Sequence, residues 1–120
     1  QRSQHLDRHS VNWQGPMPAV TTPFHEDGRI DEAGFAANVE RIIKAGATGV
    51  VVGGCTGEFW ALSHDERGRL FAVAREAVPA GATLIVGTGA VTVDETIALT
   101  RHAEAAGCDG ALILPPYFVK

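Results

Sequence analysis

The sequence predicts an α/β fold of successive βα units around a parallel sheet, and three observations predict it. Short apolar runs alternate with longer amphipathic stretches along the 120 residues. Two of those stretches open on a capping box, Ser63-His64-Asp65-Glu66 and Thr92-Val93-Asp94-Glu95. In such a box a hydroxyl takes one free N–H and a glutamate reaches back for another. An Ala-Gly-Ala or Ala-Gly-Cys mark recurs at residues 45–47, 80–82 and 106–108. Each falls where a helix should end just before a strand, and glycine suits the left-handed position past a helix end.

Taken in order, residues 1–12 read as a loose lead-in. Residues 17–22 (MPAVTT) read as a first strand, closed by Pro23, and Asp27-Gly28 as the tip of a turn. Asp31 can cap a helix to about Ala45, because Phe35, Val39, Ile42 and Ile43 share one helical face. Residues 49–52 (GVVV) form a continuous β-branched run, as expected of a strand buried on both faces. The helix after Ser63 carries Leu70, Val73, Ala74 and Ala77 on one face. Residues 83–86 (TLIV) read as a third strand, and a helix from Thr92 runs to about Ala106. Residues 110–114 (GALIL) read as a fourth strand, ended by Pro115-Pro116, which cannot donate to a ladder. An open doubly wound sheet and part of a βα barrel both fit this pattern. A complete barrel takes eight units and about 250 residues.

Composition narrows the function. With 45% hydrophobic and 20% charged residues the chain is ordinary for a globular protein. A net charge of −4 offers no basic footprint for nucleic acid or anionic lipid, so neither is expected as a partner. No apolar run approaches the roughly 18 residues of a membrane span. The polar opening, residues 1–10, has no apolar core of a secretory signal. Two cysteines, Cys55 and Cys108, form no disulfide framework and match no zinc spacing, so a reducing, cytoplasmic setting is expected. The five histidines show no ligand spacing, and no metal is expected.

In either architecture chemistry belongs at the carboxyl ends of the strands. Four segments fall there: Thr21-Thr22-Pro23 and residues 53–58, 87–92 and 115–118. Residues 53–58 (GGCTGE) are the most informative. The glycines let the backbone turn tightly against a ligand. Free backbone N–H groups and the Thr56 hydroxyl suit a small anion such as a carboxylate or phosphate. The plain alternative is a strand-to-loop turn whose glycines serve only the backbone. Cys55 is better read as a small side chain than as a nucleophile, since no histidine lies close in sequence. Residues 87–92 (GTGAVT) could open a dinucleotide fingerprint, but Thr92 replaces the third glycine. Asp109 precedes a strand, whereas a ribose-binding acid ends one.

GCTGE resembles the G-x-T-G-E loop of the dihydrodipicolinate synthase / N-acetylneuraminate lyase family. Residues 18–24 (PAVTTPF), residues 27–31 (DGRID), Leu62-Ser63 with Glu66-Arg67, Gly87-Thr88-Gly89 and residues 114–117 (LPPY) resemble other family segments in the same order. The resemblance runs from about Trp13 to Lys120. It implies a TIM (β/α)8 barrel, of which residues 13–120 would be the N-terminal half, the first four βα units. It implies a class I aldolase or dehydratase that holds pyruvate or a 2-keto-3-deoxy acid as a lysine imine, with no cofactor. Carried over, Thr56 and the N–H groups of Cys55 and Thr56 would grip the 2-oxo acid carboxylate. Tyr117 and Phe118 would line the site, and Glu58 would brace the loop. The family places its imine lysine on the sixth strand and its catalytic tyrosine on the fifth, so both are expected beyond residue 120. Lys44 and Lys120 match neither position. The full-length protein is expected to be a homo-oligomer, a tetramer or dimer.

The chain also departs from the family pattern. Dihydrodipicolinate synthases usually carry a threonine where this chain has Cys55 and a tyrosine where it has Phe118. Those hydroxyls relay protons, which phenylalanine cannot do and a thiol does poorly. The departures point towards sugar-derived or other 2-oxo acids. Two other readings stay open: a small nucleotide- or phosphate-binding α/β domain, and a non-catalytic half-barrel that associates with a partner half.

Overall fold

The computed structural model describes residues 9–54 and 59–114. Three strands form one parallel sheet in the order β1 (Gly49–Val52), β2 (Thr83–Gly87), β3 (Gly110–Leu112). Three helices alternate with them: α1 (Glu32–Lys44), α2 (His64–Ala77) and α3 (Val93–Ala106). The register pairs Gly49 with Thr83 and Val52 with Val86 across β1 and β2. Ile85 pairs with Gly110 across β2 and β3.

Helix starts follow the sequence. The Asp31 carboxylate accepts from the Gly34 N–H at 2.9 Å and caps α1. At α2 both halves of the capping box are made: Ser63 Oγ accepts from Glu66 N at 3.1 Å, and the Ser63 N–H donates to Glu66 Oε1 at 2.8 Å. At α3 only half of the expected box is made: the Thr92 hydroxyl accepts from Glu95 N at 3.2 Å, without the return bond from the Thr92 N–H to the Glu95 side chain. Helix ends follow it in part. Gly46 and Gly107 do take positive φ, +109° and +84°, after α1 and α3. Gly81 does not close α2. That helix stops at Val78, which is extended at φ −89°, ψ 120° because the next residue is Pro79.

The first strand is the second correction. Residues 17–22 form no strand of the sheet. They lie beside β1 through one parallel bridge, Ala19 to Val51. The Val20 N–H donates to Val51 O, and Val51 N–H to Pro18 O, each at 2.9 Å. Pro16 and Pro18 lack N–H groups, so no longer ladder can form on that side. The expected turn is present at Asp27-Gly28, where His25 N–H reaches Arg29 O at 2.7 Å. A third correction concerns β3, which ends at Leu112 rather than at residue 114.

The core lies between the sheet and the helices. Phe35 and Val39 of α1, Leu70 and Phe71 of α2, Leu99 of α3, and Val50, Val52, Leu84 and Val86 of the strands are completely or almost completely buried. β1 and β2 are covered on both faces, as the GVVV run predicts. β3 is an exposed edge, with Leu112 49% and Ile113 54% accessible. No helix among the described residues is long and apolar enough to cross a membrane.

Candidate functional site

The carboxyl ends of β1 and β2 meet almost backbone to backbone. A Cβ on Gly87 would overlap the carbonyl oxygen of Gly53 and come within 3.2 Å of the Gly54 nitrogen. Only glycine fits at Gly87, and Gly53 itself sits at φ +70°. These two glycines set where the chain leaves the sheet into residues 55–58.

The end of β2 is held from outside by Arg67, which is 4% exposed. Its Nη1 donates to Gly89 O at 2.7 Å and its Nη2 to Gly87 O at 2.6 Å. The guanidinium carbon lies 5.0 Å from the centre of the Phe59 ring, within cation–π range. Phe59 begins a short 3-10 turn, Phe59–Ala61, just after residues 55–58. Just past the end of β2, Thr88 is fully buried, and its hydroxyl lies 2.9 Å from that of Thr100. Thr88 N–H donates to Leu112 O at 3.1 Å, which ties the end of β2 to the end of β3.

The opposite end of the sheet carries a different cluster. Asp109 Oδ2 accepts from Leu84 N at 2.8 Å and lies 3.8 Å from Arg75 Nη1. Arg75 donates to Gly107 O at 3.1 Å and to Val78 O at 2.9 Å. Asp109 therefore braces the start of β2, far from any phosphate that residues 87–92 could hold. The Gly87 and Gly89 carbonyls are taken by Arg67. The place of Asp109 weighs against a dinucleotide site. Lys44 ends α1 and so lies at this amino end of the strands, exposed.

Of the residues singled out in the sequence, Cys55, Thr56, Glu58, Tyr117, Phe118 and Lys120 lie outside the described residues. Their flanks are described: Gly53, Gly54, Phe59 and residues 87–89 and 112–114 gather at one end of the sheet. The sequence reading missed Arg67 as a member of this region. Its signal was present: Arg67, Leu70, Phe71 and Ala74 are spaced i, i+3, i+4, i+7, so a cation continues an apolar helical stripe.

A surface hollow of about 500 Å³ lies elsewhere, between the His25–Arg29 turn and the first turns of α1 and α2. Two of its lining charges, Arg69 and Glu32, pair with each other. Arg69 makes two bonds of 2.8 Å to Glu32, which lowers the Glu32 pKa and raises that of Arg69. On its rim, the Arg29 backbone and side-chain donors lower the pKa of Asp27. The strand-end residues do not line this hollow. Among the described residues no three His, Cys, Asp or Glu side chains converge as metal ligands would.

Comparison with known proteins gives one consistent result. Residues 12–120 match the dihydrodipicolinate synthetase family. An uncharacterized DapA-like lyase of Rhizobium meliloti is 49% identical over 106 residues, 88% of this chain and 35% of the relative. A 4-hydroxy-tetrahydrodipicolinate synthase of Acidiphilium cryptum is 42% identical over 90% of this chain and 37% of its own length. Among solved structures, a prophage protein of the dihydrodipicolinic acid synthase family from E. coli K12, in complex with pyruvate, superposes with a TM-score of 0.86. It is 37% identical over 92% of this chain and 37% of that one. Proteus mirabilis N-acetylneuraminate lyase superposes at 0.83 with 31% identity, over 91% of this chain and 37% of the other. The chain thus spans little more than a third of each of these proteins. Its helices and sheet are part of a (β/α)8 barrel.

Proposed function

This chain belongs to the dihydrodipicolinate synthetase family, and on that premise we propose that the whole protein is a class I lyase acting beside a 2-oxo acid. It makes or breaks a carbon–carbon or carbon–oxygen bond while pyruvate, or a 2-keto-3-deoxy acid, is held as a lysine imine. The observation that carries this is the family match over residues 12–120, in register with a glycine-built strand end at Gly53, Gly54 and Gly87. In this reading Thr56 and the N–H groups of Cys55 and Thr56 bind the carboxylate, and Tyr117 and Phe118 line the site. The imine itself is the electron sink, so no cofactor is needed. A Schiff-base lysine needs a desolvated or cationic pocket that keeps its amine neutral. Lys44, exposed at the amino end of the strands, has neither that pocket nor that position, and Lys120 follows the fourth strand end where the family resemblance implies a lysine on the sixth, so in this reading the imine lysine lies outside residues 1–120. Residues 13–120 form the amino-terminal part of one barrel domain, and the whole protein is a cytoplasmic homo-oligomer.

The substrate reading is narrower. Cys55 and Phe118 stand where a dihydrodipicolinate synthase is expected to carry hydroxyls, which favours a 2-keto-3-deoxy sugar acid over aspartate semialdehyde. Two measurements on the full-length protein test the two levels. Borohydride should inactivate it irreversibly only when pyruvate is present, and inactivation independent of pyruvate defeats the imine. The kcat/KM for a 2-keto-3-deoxy sugar acid should exceed that for pyruvate with aspartate semialdehyde. The reverse order, by about tenfold or more, removes the argument from Cys55 and Phe118, since lost acid–base assistance commonly costs about 10²–10⁴-fold.

A further inference from the structure

We propose that residues 12–16 are a strap that closes the amino mouth of the barrel, with Trp13 as the plug of its interior, whatever reaction the barrel serves. Val50, Val52, Leu84 and Val86 pack in one cluster with the helices. Side chains alternate along a strand, so the residues between them turn to the opposite face, the inside of the barrel. Val51, Ile85 and Gly110 are in register there, and so are Gly49 and Thr83. The Trp13 ring lies on this inner face. A Cβ on Gly110 would come within 2.9 and 3.1 Å of its ring carbons and within 3.6 Å of the Ile85 side chain. Among the described residues Trp13 is 47% exposed, on the side that the remaining strands of the barrel would meet.

The interior of a (β/α)8 barrel is normally filled in layers by side chains from alternate strands. Here the inward residues that open β1, β2 and β3 are Gly49, Thr83 and Gly110, so the strands bring little bulk of their own. Trp13 supplies that bulk from a distant part of the chain. Threonines hold the strap down. Thr83 is 3% exposed, and a hydroxyl so buried needs a partner; it donates to Asn12 O at 2.6 Å. The Thr48 hydroxyl donates to Gln14 O at 2.8 Å, and the Thr48 N–H to Pro16 O at 2.9 Å. Gly15 takes φ +92° against the Thr48 side chain, where a Cβ would overlap it, so the strap lies flat on the strand end. Held by two threonines and one ring, the strap can lift without unfolding the sheet.

The test uses the full-length protein and reads hydrogen exchange at the Thr48 amide, whose bond to Pro16 O belongs to the strap. Gly110→Ala puts a methyl where the ring lies and should displace it. Thr48 exchange should then rise by about tenfold or more, while the amides of α2 and α3 keep their rates. With Trp13→Ala the room is already vacant, so adding Gly110→Ala should change Thr48 exchange by less than about twofold. Equal effects of Gly110→Ala in the two backgrounds, or none in either, overturn the proposal. Faster exchange of Thr48, α2 and α3 alike also overturns it, because Trp13 would then belong to the global core. Should Trp13→Ala fail to fold, Trp13→Phe takes its place, since the shorter side chain leaves room for the methyl. Gly110→Ala protein that folds only in the Trp13→Phe background supports the proposal, and protein that folds in neither background overturns it. Failure of both Trp13 variants to fold places Trp13 in the global core and overturns the strap.

Discussion

Thr56 carries the largest burden of any single residue in the proposed site. Its hydroxyl would bond a charged carboxylate, so Thr56→Val in the full-length protein should weaken 2-oxo acid binding by about 1.5–3 kcal/mol. Equilibrium titration with pyruvate checks this, and unchanged affinity removes Thr56 from the site. Asp109 makes a structural counterpart at the other end of the sheet. Asp109→Ala would strip the acceptor from the buried Leu84 N–H and should destabilise the fold by about 1–3 kcal/mol. Asp109→Asn keeps an acceptor oxygen there and should lose less; denaturant titration of the full-length variants separates the two. The difference in legibility between these residues is physical. The glycines at the ends of β1 and β2 declare a tight backbone approach in sequence, and Gly53 and Gly87 do meet there; Thr56 lies outside the described residues. A carboxylate or guanidinium that caps distant carbonyls and amides shows at most its place on an apolar stripe, as Arg67 does, because its partners lie 20 to 25 positions away. From sequence alone Asp109 offers itself only as a ribose ligand, and nothing ties Arg67 to the strand ends.

Helices were legible where their caps are local. Asp31, Ser63 and Thr92 each take an N–H three residues on, and no tertiary contact is needed to predict it. Ser63→Ala should cost about 0.5–2 kcal/mol, read by thermal or denaturant unfolding. The end of α2 was misread because two stop signals compete. Pro79 acts on Val78 before the chain reaches Gly81. The first strand was misread for a related reason: its apolar pattern is strand-like, but its prolines remove the donors a ladder needs. Between helices, the Glu32–Arg69 pair joins α1 to α2 at the surface, with side chains 40% and 62% exposed. Its partner lowers the folded-state pKa of Glu32. The stabilisation is therefore present above the ordinary glutamate value and lost as pH falls through the lowered one. Because water screens the pair, Glu32→Gln should change stability by less than about 1 kcal/mol at pH 7, and the difference should vanish in acid. A larger loss at pH 7 would mean the pair is less screened than its exposure indicates.

At the scale of the whole molecule, the described residues leave one side of their core uncovered. Leu112, Ile113 and Leu114 at the β3 edge are exposed, and so are Val93 and Ile97 on α3. In a closed barrel a further strand and helix would cover such an edge. Residues 1–120 on their own should therefore lack a sharp two-state unfolding transition as a monomer. A cooperative denaturant curve from a monodisperse monomer would contradict this. The parallel βα order was readable from periodicity and glycine marks; that it closes into a barrel was not. An open sheet satisfies the same local pattern, and only the family likeness and the superposition on solved barrels decide between them.

In the function proposed above, this chain contributes the carboxylate-binding strand ends of a 2-oxo acid lyase whose imine lysine lies elsewhere in the protein. Peptide mass mapping of the full-length protein, after borohydride reduction with pyruvate at neutral pH, tests it most directly. The expected result is one reduced pyruvate per chain, on a single lysine outside residues 1–120. Stoichiometric label on Lys44 or Lys120, or no labelled lysine at all, would contradict it.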